Sequence, residues 1–161
     1  MGKNFGMIMK VKIGQKAPNF KLDSTGSKAF KLSNIKKGLI IYFYPKDNTP
    51  GCTLETKDFS KLYKKFKNLK YEVVGVSKDN IKSHIGFKKK YKVVFDLLSD
   101  EKLKVQKKYG VWGTKSFMGN KFMGTIRSTV AINSGKILKT WSNVRVKGHA
   151  QEVLSFIKSI N

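Results

Sequence analysis

Along the chain, hydrophobic and polar positions change period several times, and each change marks an element. Pro18 to Leu22 and Ala29 to Leu32 are short half-apolar runs on either side of the polar segment DSTGSK, which predicts a small hairpin. Leu39 to Tyr44 (LIIYFY) is a continuous apolar run rich in β-branched and aromatic residues, the pattern of a strand buried on both faces. Past the turn-dense KDNTPG the spacing becomes three and four residues. Leu54, Phe59, Leu62, Tyr63 and Phe66 predict a helix reaching about Asn68.

Tyr71 to Ser77 (YEVVGVS) predicts a second strand, followed by a helix from about Asn80 to Tyr91 and a short strand around Val93 to Leu97. Ser99, Asp100 and Glu101 form a cap-like serine with acids behind it, so a further helix is expected to start there and stop at Gly110. The stretch GVWGTKSFMGNKFMG, with its four glycines, reads as a loop. Arg127 to Asn133 and Lys136 to Trp141 predict a hairpin across Ser134 and Gly135. Gly148 and His149 lead into a last helix with Ala150, Val153, Leu154, Ile157 and Ile160 on one face.

Strand–helix alternation closed by a hairpin and a helix predicts an α/β sandwich with a mixed sheet. That order suits a thioredoxin-like fold: a mixed central β-sheet flanked by helices, with an N-terminal β-hairpin. The 161 residues suit one domain, expected over residues 11–161 behind an extension of residues 1–10. No eighteen apolar residues run together, and the apolar stretch near the start is too short for a secretory signal. Position six is Gly6, so the myristoylation pattern fails as well. The expected location is the cytoplasm, with no membrane partner.

Charge changes the picture. Thirty-four basic residues against 10 acidic ones give a net charge of +24, which raises nucleic acid as a partner. The lysines, however, are scattered in pairs and triplets through predicted helices and turns, as on solvated faces. There is no basic tail and no nucleic-acid module. Nucleic acid is therefore the rival reading and not the leading one. Arginine occurs only at Arg127 and Arg145, where a planar fork of donors is worth looking for. A single cysteine, Cys52, forbids an internal disulfide and favours a reducing compartment; its bland reading is buried filler.

The segment FYPKDNTPGCTLE carries the chemistry. It sets Cys52 in the first turn of a helix that begins just past the end of a buried strand. Unpaired backbone N–H groups and the helix dipole stabilise a thiolate there. Carboxyl ends of strands in open sheets are also where sites form, so an ionised and accessible thiol is expected. Pro50 and Gly51 stiffen the turn and allow close approach, and the Thr49 hydroxyl lies two peptide units away, able to bond the thiolate or a peroxide oxygen.

Pro45, Thr49 and Cys52 match the peroxiredoxin pattern Pro-x3-Thr-x2-Cys. With FYPKDNTPGCT, GVWGTKSFMG and the strand that starts at Arg127, the chain resembles the peroxiredoxin Q, or bacterioferritin comigratory protein, subfamily from about Val11 to the last helix. The resemblance implies a thiol-dependent peroxidase acting on hydrogen peroxide and organic hydroperoxides. Cys52 is then the peroxidatic nucleophile that becomes sulfenic acid, and Arg127 stabilises its thiolate and orients the peroxide. Glu55 is similar to the family residue that holds the arginine, and Pro45 shields the site.

One departure matters. Where many members of the subfamily have a resolving cysteine, five residues after the first, this chain has Lys57. The implied cycle is a one-cysteine cycle, with an external thiol from thioredoxin, glutaredoxin or glutathione reducing Cys52. The resemblance tilts toward a monomer or weak homodimer. No cofactor or metal is expected: His84 and His149 lack ligand spacing, the first reading as surface and the second as a helix start. Trp112, Phe117, Phe122 and Trp141 read as core residues ahead of pocket or interface residues, and Arg145 has no assigned chemistry. Two rivals remain: a cysteine hydrolase or acyltransferase, which needs a histidine base, and a redox-sensing or nucleic-acid-associated binding protein that uses the basic surface.

Overall fold

The computed structural model describes residues 9–161. Its chain order is β1 (Lys21–Ser24), β2 (Phe30–Lys31), β3 (Gly38–Phe43), α1 (Pro50–Asn68), β4 (Tyr71–Ser77), α2 (Ile81–Tyr91) and β5 (Leu97–Ser99). There follow α3 (Lys104–Tyr109), β6 (Trp112–Phe117), β7 (Asn120–Thr125), β8 (Ser128–Asn133), β9 (Lys136–Trp141) and α4 (His149–Ile160). Seven strands form one sheet in the order β2-β1-β5-β4-β3-β8-β9. Within it β3, β4 and β5 run parallel and the remaining pairs antiparallel. This is the mixed, helix-flanked sheet of the thioredoxin-like fold, with the N-terminal hairpin at one edge.

Strand β3 lies between β4 and β8 and is buried at every position, as its unbroken apolar run requires. Its alternate residues divide the core. Ile40 and Tyr42 face Phe59 and Phe66 of α1, Phe87 of α2 and Val153, Leu154 and Ile157 of α4. Leu39, Ile41 and Phe43 face Val105 and Tyr109 of α3 and the N-terminal residues Val11, Ala17 and Phe20. Tyr42 stacks on Phe59 with ring centroids 4.7 Å apart, tying the strand directly to the helix that carries Cys52.

Several expectations need correction. The short strand lies at β5, later than the expected 93–97, while Val93 and Phe95 fill the core without pairing. Ser99 is in that strand and donates to the Asp79 carbonyl, so it caps nothing. The helix begins instead at Lys104, and it is the Asp100 carboxylate that accepts from the N–H groups of Val105 and Gln106. The glycine-rich stretch is not a loop: β6 and β7 pair over six positions around Met118 and Gly119, both with positive φ, and form a separate two-stranded sheet. Leu54 and Ile160, expected on buried faces, are exposed. So are Phe117 and Phe122 on the β6–β7 arm, which therefore carry no core.

Residues 1–8 of the expected extension lie outside the described residues. Contact with the fold begins before residue 11, since Met9 packs against the second core and the Lys10 N–H donates to the Tyr109 carbonyl. No helix among the described residues is long and apolar enough to cross a membrane.

Candidate active site

The site forms where β3 ends and α1 begins. Strand pairing carries β8 alongside, with Phe43 opposite Ser128 and Tyr42 opposite Thr129, so Arg127 arrives at the same end of the sheet. Thr49 is the N-cap of α1 in extended conformation, Pro50 supplies the first helical position, and Cys52 sits in the first turn. In that turn Pro50 carries no N–H and the Thr53 N–H donates to the Thr49 carbonyl, so the N–H groups of Gly51 and of Cys52 itself are the ones without a partner within the helix.

Arg127 bridges two acceptors. Its Nη2 lies 3.4 Å from Cys52 Sγ and its Nη1 lies 2.6 Å from Glu55 Oε1. Gly51 makes the approach feasible: a Cβ there would stand 3.3 Å from Arg127 Nη2. Burial opposes the guanidinium charge, but Glu55 and Cys52 more than offset it and raise the Arg127 pKa above its ordinary value. Burial pushes the Glu55 carboxyl up from 4.5 to about 7 against the pull of Arg127. Its second oxygen, Oε2, is buried with no hydrogen-bond partner among the described residues.

The structure thus brings Cys52, Glu55 and Arg127 together. Thr49 and Pro45 lie in the loop just before them, the proline half-buried. The Thr49 hydroxyl donates to the Lys46 carbonyl at 2.9 Å and is not bonded to the sulfur. Cys52 itself is 1% exposed, packed into the core on the α1 side of the sheet with the Arg127 guanidinium against it, so the expectation of an accessible thiol is corrected. Arg145 is exposed and makes no polar contact with the site.

Sequence reasoning missed the support beneath the loop. His84, expected at the surface, is fully buried. Its Nδ1 lies 2.8 Å from Asp47 Oδ2 and its Nε2 lies 2.9 Å from the Leu98 carbonyl. Asp47 also accepts from the Tyr44 hydroxyl at 2.6 Å and the Ser83 hydroxyl at 2.8 Å, while its own N–H donates to Asp79 at 2.8 Å. The active-site loop is thereby pinned to β4, α2 and β5. The available signal was scarcity: an acid inside KDNTPG, in a chain with only 10, had a claim to a partner. Asp47, Asp79 and His84 offer ligand atoms within 4.8 Å of one another, but these atoms already have hydrogen-bond partners inside the cluster.

His149, at the first turn of α4, is buried and 2.7 Å from the Thr129 hydroxyl, with Nδ1 3.1 Å from Glu152. It touches neither Cys52 nor Arg127 through a hydrogen bond. Trp141 packs edge-on against it, and Trp112 is half-buried at the start of β6. Outside Arg127, a cleft of about 300 Å³ opens between the β6–β7 arm and the segment after β9. Arg127 and Lys115 both line it.

Residues 13–140 match the model of the AhpC/TSA family. A Helicobacter pylori J99 protein named as a peroxiredoxin bcp is 45% identical over 147 residues, covering 90% of this chain and 97% of its own length. Peroxiredoxin Bcp of Bacillus subtilis is 40% identical over 155 residues, covering 95% and 99% respectively. Among solved structures, a Xanthomonas campestris bacterioferritin comigratory protein, described for its alkyl peroxide reduction activity, superposes with a TM-score of 0.84 at 32% identity. That match covers 94% of this chain and 98% of the other.

Proposed function

Since the chain belongs to the AhpC/TSA family and is a thiol-dependent peroxidase, we propose that Cys52 is its peroxidatic nucleophile and Arg127 its activating cation. One observation carries this assignment: the guanidinium spans Cys52 Sγ at 3.4 Å and the buried Glu55 carboxylate at 2.6 Å. An arginine held from behind by a carboxylate keeps its remaining donors fixed toward whatever approaches the sulfur. Such preorganised donors stabilise charge as it develops on a leaving oxygen.

In the proposed step the Cys52 thiolate attacks the terminal oxygen of R–O–O–H. The S–O bond forms as the O–O bond breaks, sulfur is oxidised by two electrons, and the peroxide leaves as alkoxide or hydroxide. That anion takes a proton from water to give alcohol or water, and Cys52 is left as sulfenic acid. Arg127 orients the peroxide and balances the charge passing from sulfur to oxygen. Glu55 is a positioning residue, acting through Arg127. Thr49 offers the peroxide a hydroxyl from the helix cap, and Pro45 limits water at the loop.

The chain uses a hydroperoxide and a thiol reductant. Thioredoxin, glutaredoxin or glutathione is proposed as that reductant, because Cys52 is the sole cysteine and Lys57 stands where a resolving partner would be. Residues 11–161 are proposed to work as one domain, supported by the single seven-stranded sheet, and a monomer or weak homodimer in the cytoplasm is proposed on the subfamily resemblance and the lone cysteine. The hydrolase alternative has lost its support, since neither histidine is bonded to Cys52.

Stopped-flow mixing with hydrogen peroxide, followed by trapping and mass measurement of Cys52, tests the assignment. Rapid stoichiometric sulfenic acid is expected, absent in Cys52→Ser and slowed about 100-fold or more in Arg127→Lys. A Cys52 no faster than free cysteine would overturn it.

A further inference from the structure

The cleft outside Arg127 is far larger than hydrogen peroxide needs, and its charge is one-sided. At about 300 Å³ it falls at the small end of pockets that take organic ligands. The residues around it are the cations Lys115 and Arg127, the neutral Thr114, Ser116 and Asn143, and the apolar Ile126 and Val144. No acid lines it. The carboxylate bonded to Arg127, Glu55, is buried on the inner side of the guanidinium.

Lys115 is seated, not merely nearby. It stands in β6 opposite Phe122 of β7, and its stem crosses the diagonal neighbour Gly124. A Cβ at Gly124 would come within 2.9 Å of Lys115 Cδ and 3.7 Å of its Cγ, so the stem lies in the space that glycine leaves free. Nζ is then anchored by donating to the Thr125 carbonyl at 2.9 Å, which leaves two of its three donors for the cleft. Two like charges converging on one wall repel, and burial adds to the cost. Burial together with Arg127 and Lys78 lowers the Lys115 pKa, and only Cys52 opposes the shift. An anion in the cleft would relieve that repulsion.

Resting on the assignment of Cys52 and Arg127 above, we propose that Lys115 is a specificity-determining residue that selects organic hydroperoxides carrying a carboxylate. The hydroperoxyl group faces Arg127 and Cys52, the apolar body rests on Ile126 and Val144, and the carboxylate meets the Lys115 ammonium. The general attraction of a +24 protein for anions acts at long range and is screened by salt. The Lys115 contact is local and depends on where its stem lies.

A matched pair of probes separates the two effects: cumene hydroperoxide and its para-carboxylate. Rates of Cys52 oxidation by both, and by hydrogen peroxide, are measured at about 0.15 M salt. The wild type is expected to favour the carboxylate, and Lys115→Met to lower that preference ratio about fivefold. Gly124→Ala, which keeps the charge but displaces the stem, should lower it in the same direction. Lys64→Met is the control. Lys64 is exposed in α1, twelve residues beyond Cys52 and so about 18 Å along the helix, and its loss should leave the ratio unchanged.

A ratio unaltered by Lys115→Met, or one that falls equally in Lys64→Met, overturns the proposal. So does a wild type that favours neither probe while reacting quickly with hydrogen peroxide. Should wild-type Cys52 be inert to all three peroxides, the assignment of the nucleophile falls first and the specificity proposal falls with it.

Discussion

Glu55→Gln removes the buried carboxylate behind Arg127 and keeps its shape, which makes the electrostatics of the site measurable as stability. Burial raises the Glu55 carboxyl from 4.5 to about 7. A raised value means that the folded protein holds this proton more tightly than the unfolded chain does. The stability it contributes is therefore complete below the unfolded value and is lost as pH rises through the folded one. Between those limits the shift corresponds to about 3 kcal/mol. Glutamine does not titrate, so the variant lacks this component. The wild-type-minus-variant difference in unfolding free energy should fall by about 3 kcal/mol between about pH 4 and about pH 8. Urea unfolding of reduced protein, followed by tryptophan fluorescence at several pH values, reads the difference directly. Asp100, also raised by burial, is present in both proteins and cancels, while Asp58 is one of the charges that raise Glu55 and so belongs to the difference being measured. A difference that stays flat to within about 0.5 kcal/mol over the range would refute the reasoning.

Other parts of the structure make separate predictions. His84→Ala opens a cavity and leaves the buried Asp47 carboxylate with the Tyr44 and Ser83 hydroxyls alone, and should cost about 2–4 kcal/mol of stability in urea, whereas a loss below about 1 kcal/mol would mean the contact is not holding the loop. Phe117→Ser and Phe122→Ser, at side chains exposed on the β6–β7 arm, should change the unfolding free energy by no more than about 0.5 kcal/mol; a larger loss would show that the arm packs on something.

Local signals were enough to read most of the fold. The LIIYFY run could only be a doubly buried strand, and the spacing of Phe59 and Phe66 fixed the inner face of α1. Leu54 broke the same pattern because the buried face of α1 runs through Cys52, Glu55, Thr56, Phe59 and Phe66, and Leu54, five residues before Phe59, points away from it. The β6–β7 arm was hidden because it pairs with itself and buries only Gly113, Gly124 and Thr125, so no apolar alternation marks it. In the site, Cys52 was legible from its place at a helix start and Arg127 from the rarity of arginine, whereas Glu55 was reached only through the family resemblance. His84 was not, because a histidine among lysines on a helix looks solvated until Asp47 is known to lie 37 residues back in the same buried cluster. The seat of Lys115 was also invisible, since it depends on a diagonal contact across a hairpin that the sequence does not announce.

The insertion of β8 between β3 and β9 also sets a schedule for biosynthesis. Arg127 follows Cys52 by 75 residues, and its strand pairs with one made far earlier. At about 5–20 residues per second, a ribosome takes roughly 4–15 s to add that stretch, longer once the exit tunnel is counted. Until then Cys52 lacks the guanidinium, and β3 has one side of its ladder open. The nascent thiol spends seconds uncovered, exposed to whatever disulfides and electrophiles the compartment contains, and it meets the Arg127 guanidinium only when β8 has emerged.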